Sequence, residues 1–234
     1  MNVKYSPALV QNAILAPAAR AHEPDIQRII GAAYEDAVAS WELRTDQPPR
    51  ELVLVIRNGD RQAEEPVSYE ELRGSSKFDS KLSRMKDSLA HNGVWREAVH
   101  ALIADARVWS DGIPGASVND SEVELNEERS GRYTLPALEI KSQGSLMWVR
   151  PVAGWVVNPS WVERASATRK AIGRADLRGP GGPIYLYCLE PDRHTSKADW
   201  VYDGLVLFPG CGPNLRYQLD RDSFLKLARV CLDG

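Results

Sequence analysis

Hydrophobic spacing changes character partway along this chain, and the change divides it into a helical and a β-rich half. From Pro24 to Trp41, the apolar residues Ile26, Ile29, Ile30, Ala33, Tyr34, Ala37, Val38 and Trp41 recur at three- and four-residue steps, the spacing of one helix face. Leu52 to Ile56 is a short β-branched run ended by Asn58-Gly59, a turn pair suited to positive φ, and predicts one strand. Ser68 followed by Glu71 has the spacing of a capping box. Two further helices are expected, from about Ser76 to Ala90 and from about Val94 to Val108, separated by Asn92-Gly93.

Gly112, Pro114 and Gly115 then interrupt all periodicity, and beyond them the spacing shortens to two residues. Val123 and Leu125 alternate with Glu122 and Glu124, Leu138 and Ile140 with Glu139 and Lys141, and Met147 and Val149 with Leu146 and Trp148. Strands with two chemically different faces produce this pattern. Two-residue hairpin loops at Ser130-Gly131 and Gln143-Gly144 would set Glu122 opposite Glu139, Asp120 opposite Lys141, and Glu139 opposite Trp148. That register gathers Val123, Leu138, Ile140, Met147 and Val149 on one apolar face. Ile184–Leu189 and Trp200–Phe208 read as further strands, the Gly179–Pro183 segment as an irregular connection, and Asp220–Cys231 as a terminal helix. The expected fold is α+β: a helical N-terminal half with one short strand over residues 1–112, packed on a mainly antiparallel sheet over 116–234 that ends in a helix.

Composition narrows the function classes without choosing one. The chain has 234 residues, 43% hydrophobic and 26% charged, with a net charge of −3, so any basic site must be local. No apolar run reaches the roughly 18 residues of a membrane span. Gln11 and Asn12 interrupt the apolar amino-terminal stretch, which argues against a signal peptide, and the expectation is a cytoplasmic protein that does not engage a membrane. Cys188, Cys211 and Cys231 lack metal-ligand spacing and read as reduced thiols; the histidines His22, His91, His100 and His194 form no metal-binding motif.

Glu139-Ile140-Lys141 is the sharpest chemical candidate, because alternation places its carboxylate and ammonium on the same strand face. The triplet resembles the E-x-K element of PD-(D/E)xK nucleases, although the proline-aspartate context of that motif is missing. The resemblance implies metal-dependent cleavage of DNA or RNA, with Glu139, Lys141, Asp120 and Glu122 at the site. Glu139 with Asp120 or Glu122 would hold Mg²⁺, and Lys141 would stabilise developing negative charge.

A second candidate is the basic stretch Arg164, Arg169, Lys170 and Arg174, continued by Arg178, with Trp155 and Trp161 upstream and Glu163 and Asp176 diluting its charge. Seven tryptophans against three phenylalanines add a third feature, since tryptophan is enriched at binding hot spots. Trp148 falls on the face shared with Glu139, and Arg150 follows it two residues on. With the common catalytic motifs missing, the leading expectation is a non-enzymatic binding protein without a cofactor. It would engage a macromolecule through an aromatic and charged sheet face, a protein partner before a nucleic acid. The binding residues are Trp148, Arg150, Trp161, Arg164, Arg169, Lys170 and Arg174. The nuclease is the alternative.

Overall fold

A computed structural model describes residues 1–45, 51–128, 130–156, 169–191, 198–203 and 216–233. The fold is α+β, and the chain separates into two compact units: Met1–Gly93 with Glu128–Gly131, and Val94–Glu127 with Arg132–Gly234.

The first unit is built on a four-stranded sheet of β1 (Asn2–Tyr5), β2 (Val38–Arg44), β3 (Glu51–Asn58) and β4 (Arg61–Pro66) in that order. β1 runs parallel to β2, and the other pairs are antiparallel. Four strands therefore stand where one was expected. The helix expected over Pro24–Trp41 is also corrected. Helices α1 (Pro7–Val10), α2 (Leu15–Ala21) and α3 (Glu23–Ile26) lead into a π turn at Gln27–Gly31, and the chain from Val38 onward is strand β2. Ala37, Ala39 and Trp41 are all buried, so their spacing satisfies a strand as well as a helix, and pairing with both β1 and β3 decides for the strand.

Ser68 caps α4 (Tyr69–Leu72) in the expected capping box with Glu71. His22 is buried against Phe78, with Nε2 2.7 Å from the Leu72 carbonyl and Nδ1 3.0 Å from Asp25, which ties the first helices to α4. Helix α5 (Ser75–Ser110) is continuous through Asn92-Gly93, where a break was expected. Asn92 Nδ2 donates to the Gln62 carbonyl, and a Cβ at Gly93 would run into the Arg61 guanidinium. A single helical glycine costs only about 1 kcal/mol, too little to end a helix that has tertiary partners.

In the second unit, β5 (Ser117–Glu127), β6 (Gly131–Ser142), β7 (Ser145–Ala153), β8 (Ala171–Gly179), β9 (Gly182–Leu189), β10 (Asp199–Asp203) and β11 (Arg216–Gln218) form a seven-stranded antiparallel sheet in strict chain order. Gln143 and Gly144, at φ 49° and 85°, make the two-residue turn that joins β6 to β7. That turn sets Leu138 opposite Val149, Glu139 opposite Trp148 and Ile140 opposite Met147, the register the alternation predicts. The Gly179–Pro183 segment, expected to be irregular, is a hairpin: Gly179 pairs with Gly182 around Pro180-Gly181. Proline and glycine together build a tight turn here instead of a flexible connection.

The β5–β6 turn departs from expectation. β6 begins at Gly131 itself, so the two-residue Ser130-Gly131 loop is displaced. Along β6 the buried positions also change phase, from Tyr133, Leu135 and Ala137 to Leu138, Ile140 and Ser142. Pro136, which has no N–H for the ladder, sits just before the shift. The opposition of Glu122 and Asp120 to Glu139 and Lys141 was expected from that loop, and no pairing among the described residues gives the register of β5 on β6.

One face of this sheet carries Leu138, Ile140, Met147, Val149, Leu177, Ile184, Leu186 and Cys188 into a single core. Trp95, Val99, Leu102 and Ile103 of α5 pack there, with Phe224, Leu227, Ala228 and Cys231 of the terminal helix α6 (Arg221–Asp233). A Cβ at Gly173 would strike the Trp95 ring, which explains a glycine in the middle of β8 and the register shift beside it. Burial pushes the Cys188 thiol up and the Cys231 thiol up to about 12, so both behave as small apolar residues, as expected of two of the three thiols; Cys211 lies outside the described residues.

Asp220 caps α6. Its carboxylate accepts from Ser223 N at 2.8 Å, and its own N–H donates to Ser223 Oγ at 2.9 Å. The bonds that the carboxylate accepts from the Ser223 N–H and, at 2.7 Å, from Ser223 Oγ hold it below the usual carboxylate range. Asp220→Ala should therefore cost about 1 kcal/mol of stability at neutral pH, measured by urea denaturation. Because the folded value is the lower one, the contribution is present above the ordinary Asp range and is lost as pH falls through the lowered value. The gap between wild type and variant should close in acid.

Candidate binding face

The face of the β6–β9 sheet opposite the core is polar and aromatic, and among the described residues of this unit no helix packs on it. Register arranges it in rows. Glu139, Trp148, Arg178 and Pro183 lie across β6 to β9 in one row, and Arg150, Asp176 and Tyr185 form the next across β7 to β9. Arg174 and Tyr187 follow on β8 and β9, with Val201 beside them on β10.

Asp176 is the hub, 0% exposed despite its charge. Its two oxygens lie 3.1 Å from Arg174 Nε and 3.0 Å from Arg178 Nη2, so one carboxylate holds two guanidiniums two residues to either side on the same strand. Buried carboxylates persist only with such partners. The Arg174 contact is an ion pair without hydrogen-bond alignment, which leaves Arg174 Nε and Asp176 Oδ1 short of a hydrogen bond. Arg174 also lies over the Tyr185 ring, 4.9 Å from its centroid. Tyr187 is held above the usual phenol range by burial, and Arg174 opposes that shift.

The arginines keep part of their surface. The Arg178 side chain is 55% exposed, that of Arg174 30%, and Tyr185 is 45% exposed. Trp148 is half-buried, and Arg150 is exposed with no partner among the described residues. Glu139 and Lys141 share the face as alternation predicts, their charged atoms 3.8 Å apart. Four cationic side chains, Lys141, Arg150, Arg174 and Arg178, thus stand against two carboxylates, Glu139 and Asp176, in a chain that is acidic as a whole.

Other expected site residues lie elsewhere. Asp120 is exposed at the β5 edge and paired with Arg107, and Glu122 is exposed on the same strand. Among the described residues no group of three or more His, Cys, Asp or Glu side chains gathers at metal-binding distance. Arg169 is a structural clamp: its guanidinium reaches Asp199 at 2.6 Å and donates to the Glu190 carbonyl. Lys170 is exposed beside it, and its carbonyl accepts from Glu190 N. Trp161 and Arg164 lie outside the described residues.

Asp176, Tyr185 and Tyr187 are members of this face that the sequence did not mark as binding residues, whereas Arg178 was part of the basic stretch. The tyrosines alternate in Ile184-Tyr185-Leu186-Tyr187 on β9, which was expected as a strand; Asp176 alternates with Arg174 and Arg178 on β8, a strand that Gly173 and the Gly-Pro turn obscured.

No protein-family model matches the chain, and none of the curated proteins or solved structures compared with it shows significant similarity. No described helix is long and apolar enough to cross a membrane.

Asp176→Asn removes the charge that holds Arg174 and Arg178. It should lower stability by about 1–3 kcal/mol in urea denaturation, the cost of hydrogen bonds to a charged group. An unchanged midpoint would mean that the two arginines are held by other contacts.

Proposed function

We propose that this protein is a binding module whose outer sheet face, centred on Trp148, Arg150, Asp176, Arg178 and Tyr185, engages a macromolecular partner. The observation that carries the reading is the pairing of exposed Arg150 with half-buried Trp148 beside arginines already fixed by a buried aspartate. Forming and orienting guanidiniums before binding reduces the entropy lost on association. Tryptophan and arginine are also the residues most often found to dominate binding energy.

A second reading, metal-dependent phosphodiester cleavage, is favoured by the shared face and proximity of Glu139 and Lys141. In that reading Glu139 would hold a divalent ion such as Mg²⁺, and the partner acid would have to come from a group other than Asp120, which is engaged by Arg107.

Affinity capture from the native host, with wild type compared against Trp148→Ala and Arg150→Glu, tests the first reading. A partner retained by wild type and lost by both variants is the expected outcome; identical captured sets would refute it. Cleavage of DNA or RNA that needs Mg²⁺ or Mn²⁺ and is lost in Glu139→Ala and Lys141→Ala would replace it with the second reading.

A further inference from the structure

Resting on that reading, we propose that the outer face of β6–β9 takes a single-stranded nucleic acid. Its phosphates would meet Arg150, Arg178 and Lys141, and its bases would stack on Trp148 and Tyr185.

Charge supplies the first argument. Across β6–β9 the face gathers four cations against two carboxylates, while the acids of the flanking strands, Glu122 and Glu124 on β5 and Asp199 and Asp203 on β10, lie outside these central rows, so it is the middle of the face that favours an anionic partner. Asp176 offsets only one of the two guanidiniums it holds. It is fully buried beneath Arg174 and Arg178, while Arg178 keeps more than half of its side chain in solvent and Arg150 is exposed. A carboxylate below and a phosphate above can both be served by one guanidinium, which has five donors.

The rings supply the second. Trp148 and Tyr185 lie two strands and one row apart, about 12 Å from standard sheet spacings. Both are partly exposed on a β surface that has no helix on it among the described residues of the unit. Aromatic rings between cations on a sheet face are a platform for unstacked bases, each of which offers a π face. A duplex hides those base faces in its own stack, and a peptide of acidic residues alone has charge but no planar rings to match. Single strands answer both features.

Fluorescence anisotropy with labelled, mixed-sequence RNA and DNA single strands of about 12 nucleotides tests the proposal. Wild type should bind one or both, with log affinity falling against log salt at a slope of about −2 if three phosphates are neutralised. Arg150→Glu, an exposed residue with no described partner, should fold normally, weaken binding and flatten the slope. Trp148→Ala and Tyr185→Ala, each checked by circular dichroism, should weaken binding roughly 5- to 150-fold.

No binding to either strand, equal binding to a blunt duplex, equal displacement by polyglutamate, or affinities unchanged in all three variants would each overturn the proposal. If it falls while the Trp148 and Arg150 variants still lose a captured protein, the binding face stands and its partner is a protein. If neither experiment depends on these residues, the face itself is retired as a binding site.

Discussion

The second unit depends on one constraint: in an antiparallel sheet, a slip of one residue exchanges the two faces of a strand. Tight turns at Gln143-Gly144 and Pro180-Gly181 prevent that slip by fixing where β6 meets β7 and where β8 meets β9. With register fixed, Leu138, Ile140, Met147, Val149, Leu177 and Leu186 enter the core together. Glu139, Trp148, Arg150, Asp176 and Arg178 are left on the reverse side. The core and the candidate site are two readings of the same alternation.

Burial of a charge on the reverse side follows from the same geometry. Residues two apart on a strand lie about 7 Å from each other on one face, close enough for Asp176 to reach both Arg174 and Arg178 with a short side chain. Hydrophobic replacement of such a cluster is often neutral for stability. A cluster of this kind is therefore better understood as an arrangement of charge than as a source of cohesion, and this is why it carries weight in the functional argument.

How much was legible depends on whether a residue's role is set locally. The spacing of Leu138, Ile140, Met147 and Val149, with a turn pair between them, sufficed to place Glu139 opposite Trp148, because each step is a neighbour relation. Ser68 with Glu71 announced the start of α4, and the Asp220 region that of α6, for the same reason. β4 was invisible: Arg61–Pro66 has no β-branched residue and buries only Ala63, so its strand character comes from β3 alongside it. Val38–Trp41 fits two periods at once, and β1, a strand distant in sequence, helps decide between them. On the candidate face, Trp148 and Arg150 could be named from alternation. The role of Asp176 could not, since a carboxylate among arginines looks like dilution until Ala171–Gly179 is recognised as a strand, which puts Arg174, Asp176 and Arg178 on one face.

The apolar side of the second sheet is completed by α6, which follows all seven strands in chain order. During synthesis, Met147, Val149, Leu177, Ile184 and Leu186 emerge well before Phe224, Leu227 and Cys231 arrive to cover them. A ribosome that pauses ahead of Arg221 holds a nascent sheet whose greasy surface only α5 can cover, the kind of intermediate that chaperones bind and that self-associates when they do not. Substitutions that remove Phe224, Leu227 or Cys231 would thus act through aggregation and turnover, although none of these residues lies on the opposite face.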